Sequence, residues 1–180
     1  MALSPKQRGV LGGMTIGLVL TLAGILAAPF IPGLPRAGAS PGERLGFALR
    51  WDLLLVLCLI AHVGALARHR FRTPEDIDGS GLTPGSDRAR VLQATLQNTL
   101  EQVAIACLVH LIWAVSVPLG WTASLPIAAG LFVLGRVAFA RGYVRGAPGR
   151  AFGFAATFYP SVVMTLIILV GKLHGLIVSL

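Results

Sequence analysis

Charge is scarce in this chain. Of its 180 residues only 12% are charged, against about 25% in soluble globular domains, and 55% are hydrophobic, with a mean hydropathy of +0.79. That deficit excludes an ordinary soluble domain and indicates an integral membrane protein. Acidic residues are scarcer still, seven against fifteen Lys and Arg, for a net charge of +8. The basic residues sit at the ends of apolar runs and form no recognisable nucleic-acid module, which argues against nucleic acid as a partner. Cys58 and Cys107 are the only cysteines. Both lie inside apolar runs without C-x-x-C or His/Cys spacing, so neither a disulfide framework nor a metal site is indicated. His62, His110 and His174 have no partner spacing and are expected to be satisfied or interfacial histidines.

Five long apolar runs are present, and a spanning helix needs about 20 such residues. Pro/Gly-rich and charged breaks place the spans near Gly9–Ile31, Phe47–Ala67, Gln93–Val117, Trp121–Gly142 and Phe152–Leu176. The breakers of 32–42 predict a loop, as does the polar stretch 68–87. Pro118 to Gly120 and Gly146 to Gly149 predict tight turns. Eleven Lys and Arg fall toward one side of this five-span plan and four toward the other, so the positive-inside rule predicts a multi-pass protein of the inner or plasma membrane with a cytoplasmic N-terminus. The first span is longer than a signal-peptide core and is expected to be a retained anchor. Gly13-x-x-x-Gly17 and Gly171-x-x-x-Gly175 have the spacing that lets helices approach closely, although 22 glycines make such spacing common by chance.

Polar groups inside these runs point to function, because an ionisable group at hydrocarbon depth is rare and defaults to a functional role. Gln97-Asn98-Thr99-Leu100-Glu101 carries an amide and a carboxylate into the third run, and Arg136 lies in the fourth. Asn98 and Glu101, three apart, share a helix face. Arg136 and Tyr143, seven apart, share another, with Phe139 between them. Arg150 follows the Pro148–Gly149 break, close to where Tyr143 emerges. Two readings are open. Glu101 and Arg136 neutralise each other and pin two helices in register, or the excess of arginines around one carboxylate holds an anionic ligand with several carboxylates or phosphates, which Arg grips in bidentate fashion.

These same residues resemble the MAPEG superfamily, the membrane-associated proteins in eicosanoid and glutathione metabolism. The likeness rests on N-x-x-E (Asn98 to Glu101), on R-x-x-x-x-x-x-Y (Arg136 to Tyr143) and on Arg150 seven residues later, and it runs from about Leu53 to Ile168. Pro74-Glu75-Asp76 resembles the proline–acidic loop of the prostaglandin E synthase branch. The resemblance implies an all-α, four-helix membrane bundle over residues 46–180 assembled as a homotrimer, and the extra N-terminal span and loop of residues 1–45 lie outside that plan. It implies glutathione as cofactor between subunits, lined by Asn98, Glu101, Arg136 and Tyr143. Arg68 or Arg70 and Arg90 would clamp its carboxylates, and Arg150 would stabilise the thiolate. Two carboxylates and one ammonium suit an arginine cluster with a single glutamate. The expected activity is a glutathione-dependent transferase or peroxidase acting on hydrophobic electrophiles from the bilayer, with Arg150 and Tyr143 as catalytic groups. The alternative is a non-catalytic relative that keeps the buried Glu/Arg pair for structure. Ala94 stands where the eicosanoid enzymes carry an arginine, and Phe139 where others carry a Tyr or His. A small transporter is disfavoured by the lack of an inverted repeat.

Overall fold

The computed structural model describes residues 2–79 and 81–178, with side chains as far as His174. Five long helices account for most of them: α1 (Pro5–Ala27), α2 (Pro41–Arg72), α3 (Asp87–Ser116), α4 (Ser124–Gly142) and α5 (Gly146–Val178). Short 3-10 turns occupy Ala28–Phe30, Pro74–Asp76, Leu119–Ala123 and Tyr143–Arg145.

The helix starts are written into the sequence. Ser4 and Ser40 head capping boxes with Gln7 and Glu43, each followed by a proline at the first helical position, where its missing N–H costs nothing. Ser86 caps α3 by accepting from the Ala89 N–H at 3.2 Å. Four stretches are long and apolar enough to cross a membrane, and the last of them, Leu119–His174, is 56 residues long. That is far more than one crossing needs. Gly146 breaks it: with φ +79° it adopts a left-handed backbone that side chains disfavour, and α4 folds back there onto α5.

The sequence expects α2 to end at Ala67, yet it continues to Arg72. His69, Arg70 and Arg72 in its last turn suit the negative end of the helix dipole, and Pro74 then halts it. The loop of 68–87 is accordingly shorter, 73–86.

α2 pairs antiparallel with α3, and α4 with α5. α1 runs parallel to α5: Cβ atoms built on Gly9, Gly13 and Gly17 would fall on Pro148, Ala151 and Ala155 in turn. The Gly13/Gly17 pair is thus a helix contact, whereas Gly175 lies outside the residues whose surroundings are described. At one end of the bundle Arg44 donates to the carbonyls of Ala114 (3.2 Å) and Val117 (2.7 Å), satisfying the open end of α3. The Ala37 N–H donates to Thr122 Oγ1 at 3.0 Å. Above these caps sits a core of Ile25, Phe47, Trp113, Leu125 and Met164, and midway along the bundle a second of Leu55, Val103, Ala129 and Phe132. Leu49, Leu53, Ile60, Leu108, Ile112 and Leu169 face outward, which suits lipid as solvent.

Candidate functional site

The largest fully buried polar side chain among the described residues is Arg136, 1% exposed. It reaches α5 because the two backbones nearly touch. A Cβ at Gly153 would lie 2.3 Å from the Phe139 nitrogen and 2.7 Å from the Gly135 carbonyl oxygen, the kind of approach that small residues allow between membrane helices. Arg136 Nη2 donates to Thr157 Oγ1 (2.5 Å) and more weakly to the Gly153 carbonyl (3.5 Å); Nη1 donates to Asn98 Oδ1 (2.9 Å). One side chain therefore ties α3, α4 and α5 together. A guanidinium only donates, so the atom of Asn98 that faces it must be the oxygen, and both amide N–H groups of Asn98 point elsewhere.

From Arg136 a stack of rings leads to the end of the bundle. Its guanidinium lies 4.5 Å from the Phe139 centroid, Phe139 meets Tyr143 edge-on at 5.5 Å, and the Arg150 guanidinium rests 4.6 Å above the Tyr143 ring. Cation–π contact of this kind positions Arg150, whose guanidinium makes no hydrogen bond or ion pair with the described residues.

Beside the α2–α3 hairpin is a cavity of about 430 Å³, lined by Arg70 of α2, by Asp76 and Gly85 of the connecting loop, and by Ala89, Arg90, Gln93, Ala94 and Gln97 of α3. Arg70 Nη2 donates to Gln93 Oε1 at 3.1 Å. Arg90 donates to the Gly85 carbonyl (3.0 Å) and pairs with the exposed Asp87. Asp76 knots the loop. It accepts from Ser86 Oγ (2.6 Å), the Ser86 N–H (2.7 Å) and His69 Nε2 (2.9 Å). The Ser86 side chain first, then its backbone N–H, and to a lesser degree His69, hold the Asp76 carboxyl below its usual range against the opposing effect of burial.

Arg136 bonds Asn98 and not Glu101, and Arg150 lies over Tyr143, close to where the sequence placed it. The expected Glu101–Arg136 pair is not formed. Glu101 is exposed and accepts from Gln97 Nε2 at 3.0 Å, while Arg136 turns inward to Asn98 and Thr157. Three residues advance a helix by about 300°, which leaves Glu101 about 60° from Asn98, enough for one to face the bundle interior and the other its surface. Arg68 and Arg70 also part company: Arg70 faces the cavity with Arg90, whereas Arg68 lines a separate one with Arg72 and Arg88.

Sequence reasoning missed Thr157, Gly153 and Gln93, whose polar atoms complete the network. It also missed a buried pair on the α2–α3 seam, where His110 Nδ1 donates to Asp52 Oδ1 at 2.5 Å with both side chains under 5% exposed. No local signal marks that pair, because its members are 58 residues apart.

No curated protein and no solved structure matches this chain. The model of the MAPEG family does match, over residues 48–170. Those residues include Asn98, Arg136, Tyr143, Arg150 and the cavity beside α3, and leave α1 outside. The match covers more than half of the sequence, and the chain belongs to the MAPEG family.

Proposed function

We propose that the protein is a glutathione-dependent membrane transferase or peroxidase that acts on hydrophobic electrophiles arriving from the bilayer. The observation that carries this reading is the polar stripe of α3. Gln93 and Gln97 line the arginine-rimmed cavity, and about 100° round the helix from Gln97 stands Asn98, whose amide oxygen is held by Arg136, which leaves its N–H groups for a ligand.

The residues fit the tripeptide's charges. Arg70 and Arg90 line the same cavity as Ala94 and supply cationic donors where the arginine expected at 94 is missing. Glu101, unpaired with any cation among the described residues, offers a carboxylate to an ammonium. When bound, glutathione supplies a thiol with a free pKa near 8.5, reactive as the thiolate. Arg150, held over Tyr143, contributes positive charge that favours the ionised thiol, and the Tyr143 hydroxyl donates a hydrogen bond to the ligand. In this reading the chain acts as a homotrimer. The exposed face of α3 bearing Gln97 and Glu101 meets a neighbouring copy there, and residues 1–45 add a span outside the 46–180 bundle.

The test is conjugation of a chlorinated nitrobenzene to glutathione by purified protein in detergent. Arg150→Ala is expected to remove most of the rate, and an unchanged rate refutes the role given to Arg150.

A second reading is favoured by the fully buried state of Arg136, whose partners are all internal: a non-catalytic scaffold whose register is fixed by the Asn98–Arg136–Thr157 network, in place of a Glu/Arg pair. Thermal unfolding separates the two. Glutathione at a hundred times its dissociation constant adds about 2.7 kcal/mol to a protein that binds it. No shift up to high millimolar glutathione supports the scaffold.

A further inference from the structure

On the face of the α2–α3 hairpin opposite the Arg70/Arg90 cavity, Arg68, Arg72 and Arg88 surround a second cavity of about 370 Å³, walled by Ala65, His69 and Leu92. Arg68 and Arg72 are one helical turn apart on α2, and Arg88 and Leu92 one turn apart on α3, so the guanidinium groups converge from both helices. All three arginines are exposed, and among the described residues none makes a hydrogen bond or ion pair. Of the acids nearby in the chain, Asp76 is engaged by Ser86 and His69 and Asp87 by Arg90, and among the described residues neither Glu75 nor Asp78 pairs with the three arginines. Arg88 also sits in the first turn of a 30-residue helix, where open backbone N–H groups already concentrate positive charge. Cations gathered there without a counter-charge repel one another.

Depth identifies the anion. Arg68 is the first charged residue after the apolar run Leu53 to Ala67, which places the cavity where hydrocarbon gives way to headgroups. Toward the bilayer centre the same two stripes continue as exposed Ala61 and Ala65 on α2 and half-buried Leu92 and Leu96 on α3, a shallow apolar groove beneath the cations. A soluble anion uses only the cationic part. We infer that Arg68, Arg72 and Arg88 form a binding site for the phosphate of an anionic phospholipid, with an acyl chain lying along Ala61, Ala65, Leu92 and Leu96. Basic pockets between membrane helices at headgroup level hold such lipids, and each arginine near the surface adds to the attraction.

Native mass spectrometry of the full-length protein in mixed micelles with equal phosphatidylglycerol and phosphatidylcholine tests this. Phosphatidylglycerol is expected to be retained roughly tenfold or more over phosphatidylcholine. The variant R68Q/R72Q/R88Q is expected to lose that preference at an unchanged unfolding temperature, and R141Q/R145Q, which removes two exposed cations elsewhere, to keep it. Equal retention of the two lipids, or equal loss in both variants, overturns the site in favour of diffuse surface charge. Displacement of the retained lipid by millimolar inorganic phosphate shows a free-anion site, and displacement by glutathione assigns the cavity to the thiol ligand; either result overturns the lipid assignment.

Discussion

Two buried polar networks decide how much of this interior is chemistry and how much is architecture. Arg136 and the Asp52–His110 pair each sit where water is excluded, and each is held by partners from another helix. Asp52 keeps one oxygen, Oδ2, without a partner among the described residues, so its position depends on His110 alone. Removing one member of a buried pair strands the other and typically costs about 3–5 kcal/mol, whereas replacing both with apolar residues often costs little. His110→Leu is therefore expected to lower the unfolding midpoint in detergent sharply, and Asp52→Leu/His110→Leu to recover most of the loss. A double variant no more stable than the single one would mean that the pair contributes something beyond mutual compensation. These contacts were the least legible part of the sequence. Spacing along one helix reports which residues share a stripe, but Asp52 and His110 meet only because α2 and α3 pair in one particular register.

At the scale of elements the break at Gly146 was readable, but hydropathy alone started the first three spans at Gly9, Phe47 and Gln93, later than the helix starts that Ser4, Ser40 and Ser86 cap at Pro5, Pro41 and Asp87. The register of α4 on α5 was not readable. It depends on backbone contact at Gly153, and nothing in a chain with 22 glycines distinguishes that glycine from Gly12. The structure does. A Cβ at Gly153 meets the Phe139 backbone at 2.3 Å, while one at Gly12 meets nothing within 4 Å. Gly153→Ala is expected to destabilise by about 1–3 kcal/mol and, by pushing the helices apart, to loosen the grip of Arg136 on Thr157. Gly12→Ala should be neutral or stabilising by up to about 1 kcal/mol, from helix propensity alone. Thermal unfolding of the two variants side by side checks both. The 73–86 loop carries a pH prediction. Its Asp76 has a depressed pKa in the folded state, so the stability it lends is fully present above the unfolded value of about 3.9 and is lost as pH falls through the lower folded value. Hydrogen exchange at the Ser86 amide should lose protection over that acidic window. In Asp76→Asn the acid-dependent change should vanish, and its persistence would place the titrating group elsewhere.

For the whole molecule the strongest regularity is the sidedness of charge. α1 and α5 run parallel, α2 and α3 antiparallel, and α4 folds back on α5, so the chain alternates direction through five helices. This collects Lys6, Arg8, Arg68, Arg70, Arg72, Arg88, Arg90, Arg141, Arg145 and Arg150 at one end, and leaves Arg36, Arg44, Arg50 and Lys172 toward the other. The sequence allowed this count only on the assumption of five crossings. The Gly146 break supplies the crossing that a single 56-residue apolar stretch conceals. If the positive-inside rule governs insertion, the arginine-rich end faces the cytoplasm, and both the cavity proposed for glutathione and the lipid site open to that side. Cysteines introduced at the exposed positions Ala39, Glu75 and Lys172, in a background with Cys58 and Cys107 replaced by alanine, test the arrangement. A membrane-impermeant maleimide added to intact cells is expected to label positions 39 and 172, and to reach position 75 only after permeabilisation. Labelling of 75 alone would invert the protein. Labelling of 39 without 172 would remove one of the five crossings, and with it the antiparallel α4–α5 contact on which Arg136 depends.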